Sequence, residues 1–86
     1  VTENISVAEV YVPKDFIGKS LEKLNIRNKM NVNIVAVLRT SLTVDEEGNP
    51  VKTDNAVFPD AGEVLLESDI LLIVGKNTDL DAFQDL

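Results

Sequence analysis

The stretch Gly18-Lys19-Ser20-Leu21-Glu22-Lys23-Leu24-Asn25-Ile26-Arg27-Asn28-Lys29-Met30-Asn31-Val32-Asn33-Ile34-Val35-Ala36-Val37-Leu38-Arg39 starts polar, passes a cationic turn and ends in the most apolar run of the first half of the chain. Ser20 is a good N-cap, because its hydroxyl can accept from one of the free amides that open a helix. Leu21 and Leu24 stand three apart on one helical face, which predicts a short helix over 20–25. A helix this short depends on packing more than on propensity. Ile26 is expected to be buried, and Arg27 to Met30 to form a turn or a single helical loop. Asn31 suits a left-handed backbone position ahead of a strand. Val32 to Leu38 predicts that strand, with Val32, Ile34, Ala36 and Leu38 on one face and Asn33, Val35, Val37 and Arg39 on the other. Apolar residues on both faces predict burial on both sides. One helical layer covers one face; a second copy of the chain is the expected cover for the other, hence a homodimer.

Working outward, residues 1–4 predict a frayed start. A first strand is expected over 6–12, ended by Pro13, with a change of alternation near Val7 and Ala8 that predicts a bulge. Residues 40–55 predict a polar hairpin projecting into solvent, turning at Gly48-Asn49-Pro50. Ala56-Val57-Phe58 predicts a short strand stopped by Pro59. Ile70 to Val74 is uniformly apolar and predicts a central strand, ended by Gly75. Asn77 or Thr78 is expected to cap a final helix, with Asp79 near its positive end and Leu80, Phe83 and Leu86 as its inward stripe.

Composition narrows the function. A chain of 86 residues forms one small domain with an aliphatic core, since it has three Phe, one Tyr and no Trp. With neither Cys nor His, disulfides, thiolate or imidazole metal sites, a Ser-His triad and the commonest general base are all excluded. No apolar run approaches a membrane span and no signal peptide is visible, so a soluble chain is expected, and the absence of Cys fits a reducing compartment. The net charge is −7, unevenly spread. Residues 1–39 hold six basic and four acidic groups, or +2; residues 40–86 hold two basic and eleven acidic, or −9. An acidic chain is a poor nucleic-acid binder, because phosphate neutralisation dominates that affinity. The locally positive first half could still hold a small anion.

Gly18-Lys19-Ser20 looks like the end of a phosphate loop, but the required earlier glycine is replaced by Pro13, which has no N–H to offer. No Gly-x-Gly-x-x-Gly occurs, the 40–55 acids lack calcium-loop spacing, and no carboxylate pair sits in an apolar setting fit for acid–base chemistry. No enzymatic activity is expected, and no metal or cofactor. Arg27, with its planar fork, and Asn33, a polar residue near the start of a buried strand, remain as anion-binding candidates. The competing structural reading bonds Asn33 to nearby backbone and pairs Arg27 with an acid such as Asp69.

The chain resembles the RCK C-terminal domain, also called TrkA-C, of bacterial Ktr- and Trk-type potassium transport regulators. The pieces that carry the likeness are Ala8-Glu9-Val10-Tyr11-Val12-Pro13, Ile17-Gly18-Lys19-Ser20-Leu21-x-x-Leu24-Asn25-Ile26-Arg27 and Val32-Asn33-Ile34-Val35-Ala36-Val37-x-Arg39, then Phe58-Pro59, Asp69-Ile70-Leu71-Leu72-Ile73-Val74-Gly75 and Asp79-Leu80-x-x-Phe83. The resemblance implies an α+β fold: a two-layer α/β sandwich with a β-x-β-β-β core and a C-terminal helix, homodimeric. It implies that residues 1–86 are one regulatory domain, excised from a longer chain. It also implies a partner, a membrane potassium or other cation transporter, and a ligand, cyclic di-AMP, held between two subunits. By the same resemblance Arg27 meets phosphate, Asn25 and Asn33 bond the nucleotide, and Leu21, Val32 and Pro59 line a slot for adenine. Two other roles fit the fold: a dimerising gating domain without its own ligand, and the sensing domain of a transcription factor for osmolyte uptake. Glu22 stands where ligand-binding members often carry an apolar residue, Ser68 replaces the usual Gly before Asp69, and the 40–55 segment is longer than typical.

Overall fold

In the computed structural model, which describes residues 4–86, four strands form one antiparallel sheet. They are β1 (Ile5–Tyr11), β2 (Asn33–Val44), β3 (Pro50–Val57) and β4 (Ile70–Lys76), in the spatial order β1-β4-β2-β3. Three short helices, α1 (Leu21–Leu24), α2 (Ile26–Met30) and α3 (Asn77–Gln84), complete the fold, with a 3-10 turn at Lys14–Phe16. The frayed start expected over residues 1–4 lies, for residues 1–3, outside the described residues.

The apolar run Ile70–Val74 is central as its composition requires, flanked by β1 and β2. Leu71 and Ile73 are fully buried against a helical layer, in a core with Val10, Val12, Ile26, Val32, Val37, Leu65, Leu80 and Phe83. Phe16 meets Phe83 edge to face, with ring centroids 5.8 Å apart. The strand does not end at Gly75 but runs to Lys76. Gly75 has a packing role: a Cβ there would lie 3.0 Å from Val32 Cγ1 and 3.3 Å from the Asn31 carbonyl.

Several expectations are corrected. β1 pairs with β4 without a register shift from Ile5↔Lys76 to Tyr11↔Ile70, so the bulge expected near Val7 is absent there. It lies in β2, where the register with β4 shifts between Ile34 and Ala36. Val35 is the extra residue, and it reverses the alternation read from sequence. Ile34 and Val37 share the core face opposite Ile73 and Leu71, while Ala36 and Leu38 face the other way opposite Leu72 and Ile70. The separate hairpin arm and third strand are one strand, β3; Phe58 lies beyond it and is 82% exposed. The hairpin turns at Gly48 (φ 84°) and Asn49 as expected, but Pro50 lies beyond the turn and opens β3, and the Asp45 carboxylate organises the turn by accepting from the Glu47 and Asn49 amides. α3 has Lys76 at its N-cap, with no side-chain cap from Asn77 or Thr78. Leu80 and Phe83 are buried as expected, but Leu86 is exposed.

Only one sheet face is covered within the chain. The other presents Ile5, Val7 and Tyr11 from β1, all more than half exposed. The β2–β3 hairpin continues past the core as an arm, and residues 40–56 are exposed throughout. Among the described residues no helix is long and apolar enough to cross a membrane.

Candidate functional site

Ser20 caps α1 as the sequence requires, its hydroxyl accepting from the Lys23 N–H at 3.2 Å. Asn25 then takes a left-handed conformation (φ 50°), closing α1 and opening α2, and Asn31 does the same (φ 59°) at the end of α2. Two left-handed residues six apart fold 26–30 into one compact helical turn between them. That turn carries Arg27 back towards the first residue of β2. Arg27 Nε donates to Asn33 Oδ1 at 2.7 Å, and Asn28 Nδ2 donates to Asn25 Oδ1 at 2.8 Å.

The competing reading of these residues is therefore overturned. Asn33 bonds the Arg27 side chain rather than nearby backbone. Asp69 pairs with Arg39, not Arg27: Arg39 Nε lies 3.0 Å from Asp69 Oδ1 and Nη2 lies 2.8 Å from Oδ2. The register explains the choice. Arg39 lies two residues beyond Val37 on the core face of β2, the side on which the 63–69 segment packs. Among the described residues, the terminal nitrogens of Arg27 and the side-chain Nδ2 of Asn33 make no hydrogen bond.

Leu21, Asn25, Arg27, Val32, Asn33 and Pro59 all line one open groove of about 390 Å³, within the roughly 300–1,000 Å³ typical of small-molecule sites. Leu21 and Pro59 are half-buried, Val32 is almost wholly buried, and Asn25, Arg27 and Asn33 are exposed. The groove combines an apolar floor with a cationic fork and two amides, the donor set that suits an anion attached to a flat apolar body. Its walls also include Ile26, Asn28, Ile34, Asp60 and Ala61. Asn28 could have been found from its place three residues after Asn25, within reach of that side chain across the first turn of α2. Asp60 and Ala61 carry no such signal, because only the fold brings 59–61 opposite α1. Glu22 lines the groove too, so two carboxylates share it with Arg27.

The far wall is tied down by backbone and by charge. Leu21 and Glu22 N–H donate to the Glu63 and Ala61 carbonyls at 3.0 and 2.8 Å, and Gly18 N–H to the Leu65 carbonyl at 2.8 Å. Behind it, Asp69 is fully buried and also accepts from the Leu66 N–H at 2.8 Å. Burial pushes the Asp69 carboxyl up, but the Arg39 fork and the Leu66 amide outweigh it and hold it below the ordinary carboxylate range. The bond to Asp69, against the opposing effect of burial, raises Arg39 above its already high ordinary value. Arg39 Nη1 also meets Glu63 Oε2 at 3.3 Å, and Nη2 donates to the Val64 carbonyl at 3.2 Å.

A four-stranded antiparallel sheet in this order, with short helices on one face and a terminal helix, is the RCK C-domain fold. It is shared with the C domain of the potassium transport protein KtrA in complex with cyclic diadenosine monophosphate, at TM-score 0.66, 23% identity, and coverage of 94% of this chain and 81% of that one. The GsuK RCK domain matches at TM-score 0.67 and 18% identity, over 96% of this chain and 16% of that one. The chain belongs to the TrkA-C domain family, which matches it over residues 7–86. The Ktr system potassium uptake protein C of Bacillus subtilis (strain 168) is 31% identical over 84 residues, covering 98% of this chain. The chain spans 33% of that relative's length.

Proposed function

We propose that this domain is a cytoplasmic regulatory module of a bacterial potassium or other cation transport system, not an enzyme, and that it binds cyclic di-AMP between two copies of itself. One observation carries the reading: the helical turn at 26–30 gathers Arg27, Asn33 and Asn25 onto the rim of a groove whose floor is apolar. A ligand with two phosphates and two adenines has the twofold symmetry of a dimer cleft, so each copy supplies one half-site. Arg27 meets a phosphate, Asn25 and Asn33 bond the nucleotide, and Leu21, Val32 and Pro59 hold an adenine. Family membership and the cyclic di-AMP complex of the KtrA domain support this reading. Support for the transport system comes from the Ktr relative. Ligand closure of the cleft biases the dimer geometry, which a membrane transporter subunit reads through the rest of its regulator.

Titration calorimetry with cyclic di-AMP tests this directly. The wild-type chain is expected to bind and Arg27→Ala to lose at least about tenfold in affinity, as for a charge-assisted hydrogen bond. Absence of heat with wild type, or equal heat with Arg27→Ala, removes the assignment. Sedimentation of the free chain tests the dimer. Glu22 and Asp60 on the groove walls favour a second reading, a dimerising gating domain with no ligand of its own. In that case the chain dimerises and cyclic di-AMP produces no heat.

A further inference from the structure

We infer that Arg39, which lies outside the groove, is a positioning residue that sets the groove's far wall by gripping the 63–69 segment. The inference deepens the ligand reading above and rests on it for its effect on binding. Arg39 makes four contacts with one side chain: both oxygens of buried Asp69, the Glu63 carboxylate and the Val64 carbonyl. A guanidinium can do this because its donors lie in one rigid plane; an ammonium cannot span the same acceptors. Its targets continue directly into the groove. Glu63 takes Arg39 on its side chain and the Leu21 amide on its carbonyl, and Leu21 lines the groove. Two residues earlier the Ala61 carbonyl holds the Glu22 amide, and Ala61 and Glu22 line the groove as well. Ser20 and Val64 form an isolated bridge between the same two segments. The separation between α1 and the 59–61 wall, the width a flat ligand must fit, is thus fixed through Glu63 and Val64.

The chain of contacts has a strong link and a weak one. The bond to buried Asp69 is bidentate and short, while that to Glu63 is single, 3.3 Å long and about a quarter exposed. Glu63→Gln therefore loosens the wall while leaving the Asp69 anchor, and with it the fold, in place. Arg39→Lys loosens both.

Amide hydrogen exchange on the ligand-free 86-residue chain tests the grip without any ligand. In Glu63→Gln the Leu21 and Glu22 amides are expected to exchange about tenfold faster, with the β4 amides of Leu71 and Ile73 unchanged. In Arg39→Lys the same two amides accelerate by a larger factor than those of β4. Leu21 and Glu22 exchanging at the wild-type rate in Glu63→Gln, or rising only in step with β4 in Arg39→Lys, overturns the inference. Calorimetry with cyclic di-AMP on the same variants supplies the binding arm, where Glu63→Gln is expected to weaken affinity about fivefold, part of the worth of one charged hydrogen bond. Unchanged affinity in a Glu63→Gln variant whose amides have loosened overturns the effect on binding. Wild type failing to bind sinks the ligand reading instead, and the exchange result still decides whether Arg39 sets the wall.

Discussion

β2 is one continuous strand in two environments. From Asn33 to Leu38 it pairs with β4, and Ile34 and Val37 pack into the core. From Thr40 to Val44 it pairs with β3 alone, and every side chain is exposed. Arg39 stands at the boundary, its side chain held by the 63–69 segment that leads into β4. The root is specified by burial on one face and by ionic and backbone contacts around the groove. Among the described residues the arm has its ladder, the Thr40–Asp54 and Asn55–Ser41 side-chain bonds, the Ser41 and Thr43 hydroxyls donating to the Thr53 and Val51 carbonyls, and the Asp45 turn. A two-stranded ribbon without a packed face is marginal in water, so the arm takes its order from the root.

The largest expected contrast breaks this comparison if it is wrong. Leu71→Ala in the root is expected to cost about 3–4 kcal/mol in urea denaturation, as for a buried Leu that leaves a cavity. Leu42→Ala in the arm is expected to stay within about 0.5 kcal/mol. Comparable losses would show that the arm is packed, and a Leu42 effect that grows with protein concentration would place it against a second copy.

Next is the anchor at the boundary. Asp69→Asn leaves Arg39 without its buried partner and is expected to cost about 3 kcal/mol. Its pH dependence sharpens the point. The Asp69 carboxyl is held below its ordinary value in the folded chain, so the unfolded chain binds the proton first as pH falls. The stability it contributes is present above about pH 4, the ordinary Asp value, and is lost as pH drops through the lower folded value. Urea midpoints measured from pH 6 downward should fall more steeply for wild type than for Asp69→Asn. Parallel curves would show that the carboxylate is not the anchor.

The smallest effect concerns the groove. On the proposed cyclic di-AMP reading, Glu22→Gln removes a negative charge from a groove wall near the phosphates and should raise cyclic di-AMP affinity by about threefold at low salt. The gain should shrink as ionic strength rises. A loss of affinity would mean that Glu22 accepts a hydrogen bond from the ligand.

Local signals in the sequence placed most of the fold. The Ser20 cap, the left-handed Asn31, the central Ile70–Val74 run and the Leu80/Phe83 stripe are each set by neighbours a few residues away. The misreadings share a cause. The Val35 bulge and the extent of β3 depend on which strand lies alongside, and strand pairing joins residues far apart in the chain. Leu86 falls on the helical stripe, but α3 ends before it.

The groove divides in the same way. The sequence by itself singled out Arg27 and Asn33, while Leu21, Asn25, Val32 and Pro59 entered through family likeness; all but Pro59 are brought together locally, by one short helix, a helical turn and a strand start. Asp60 and Ala61 could not be inferred, since the 59–61 segment meets the groove through the Ala61 carbonyl, which accepts from the Glu22 amide some forty positions earlier. The partner of Asp69 was likewise decided by tertiary structure. Either arginine offers the same fork, but Arg27 is carried on α2 towards Asn33, while Arg39 stands on the core face of β2, where the 63–69 segment brings the buried carboxylate.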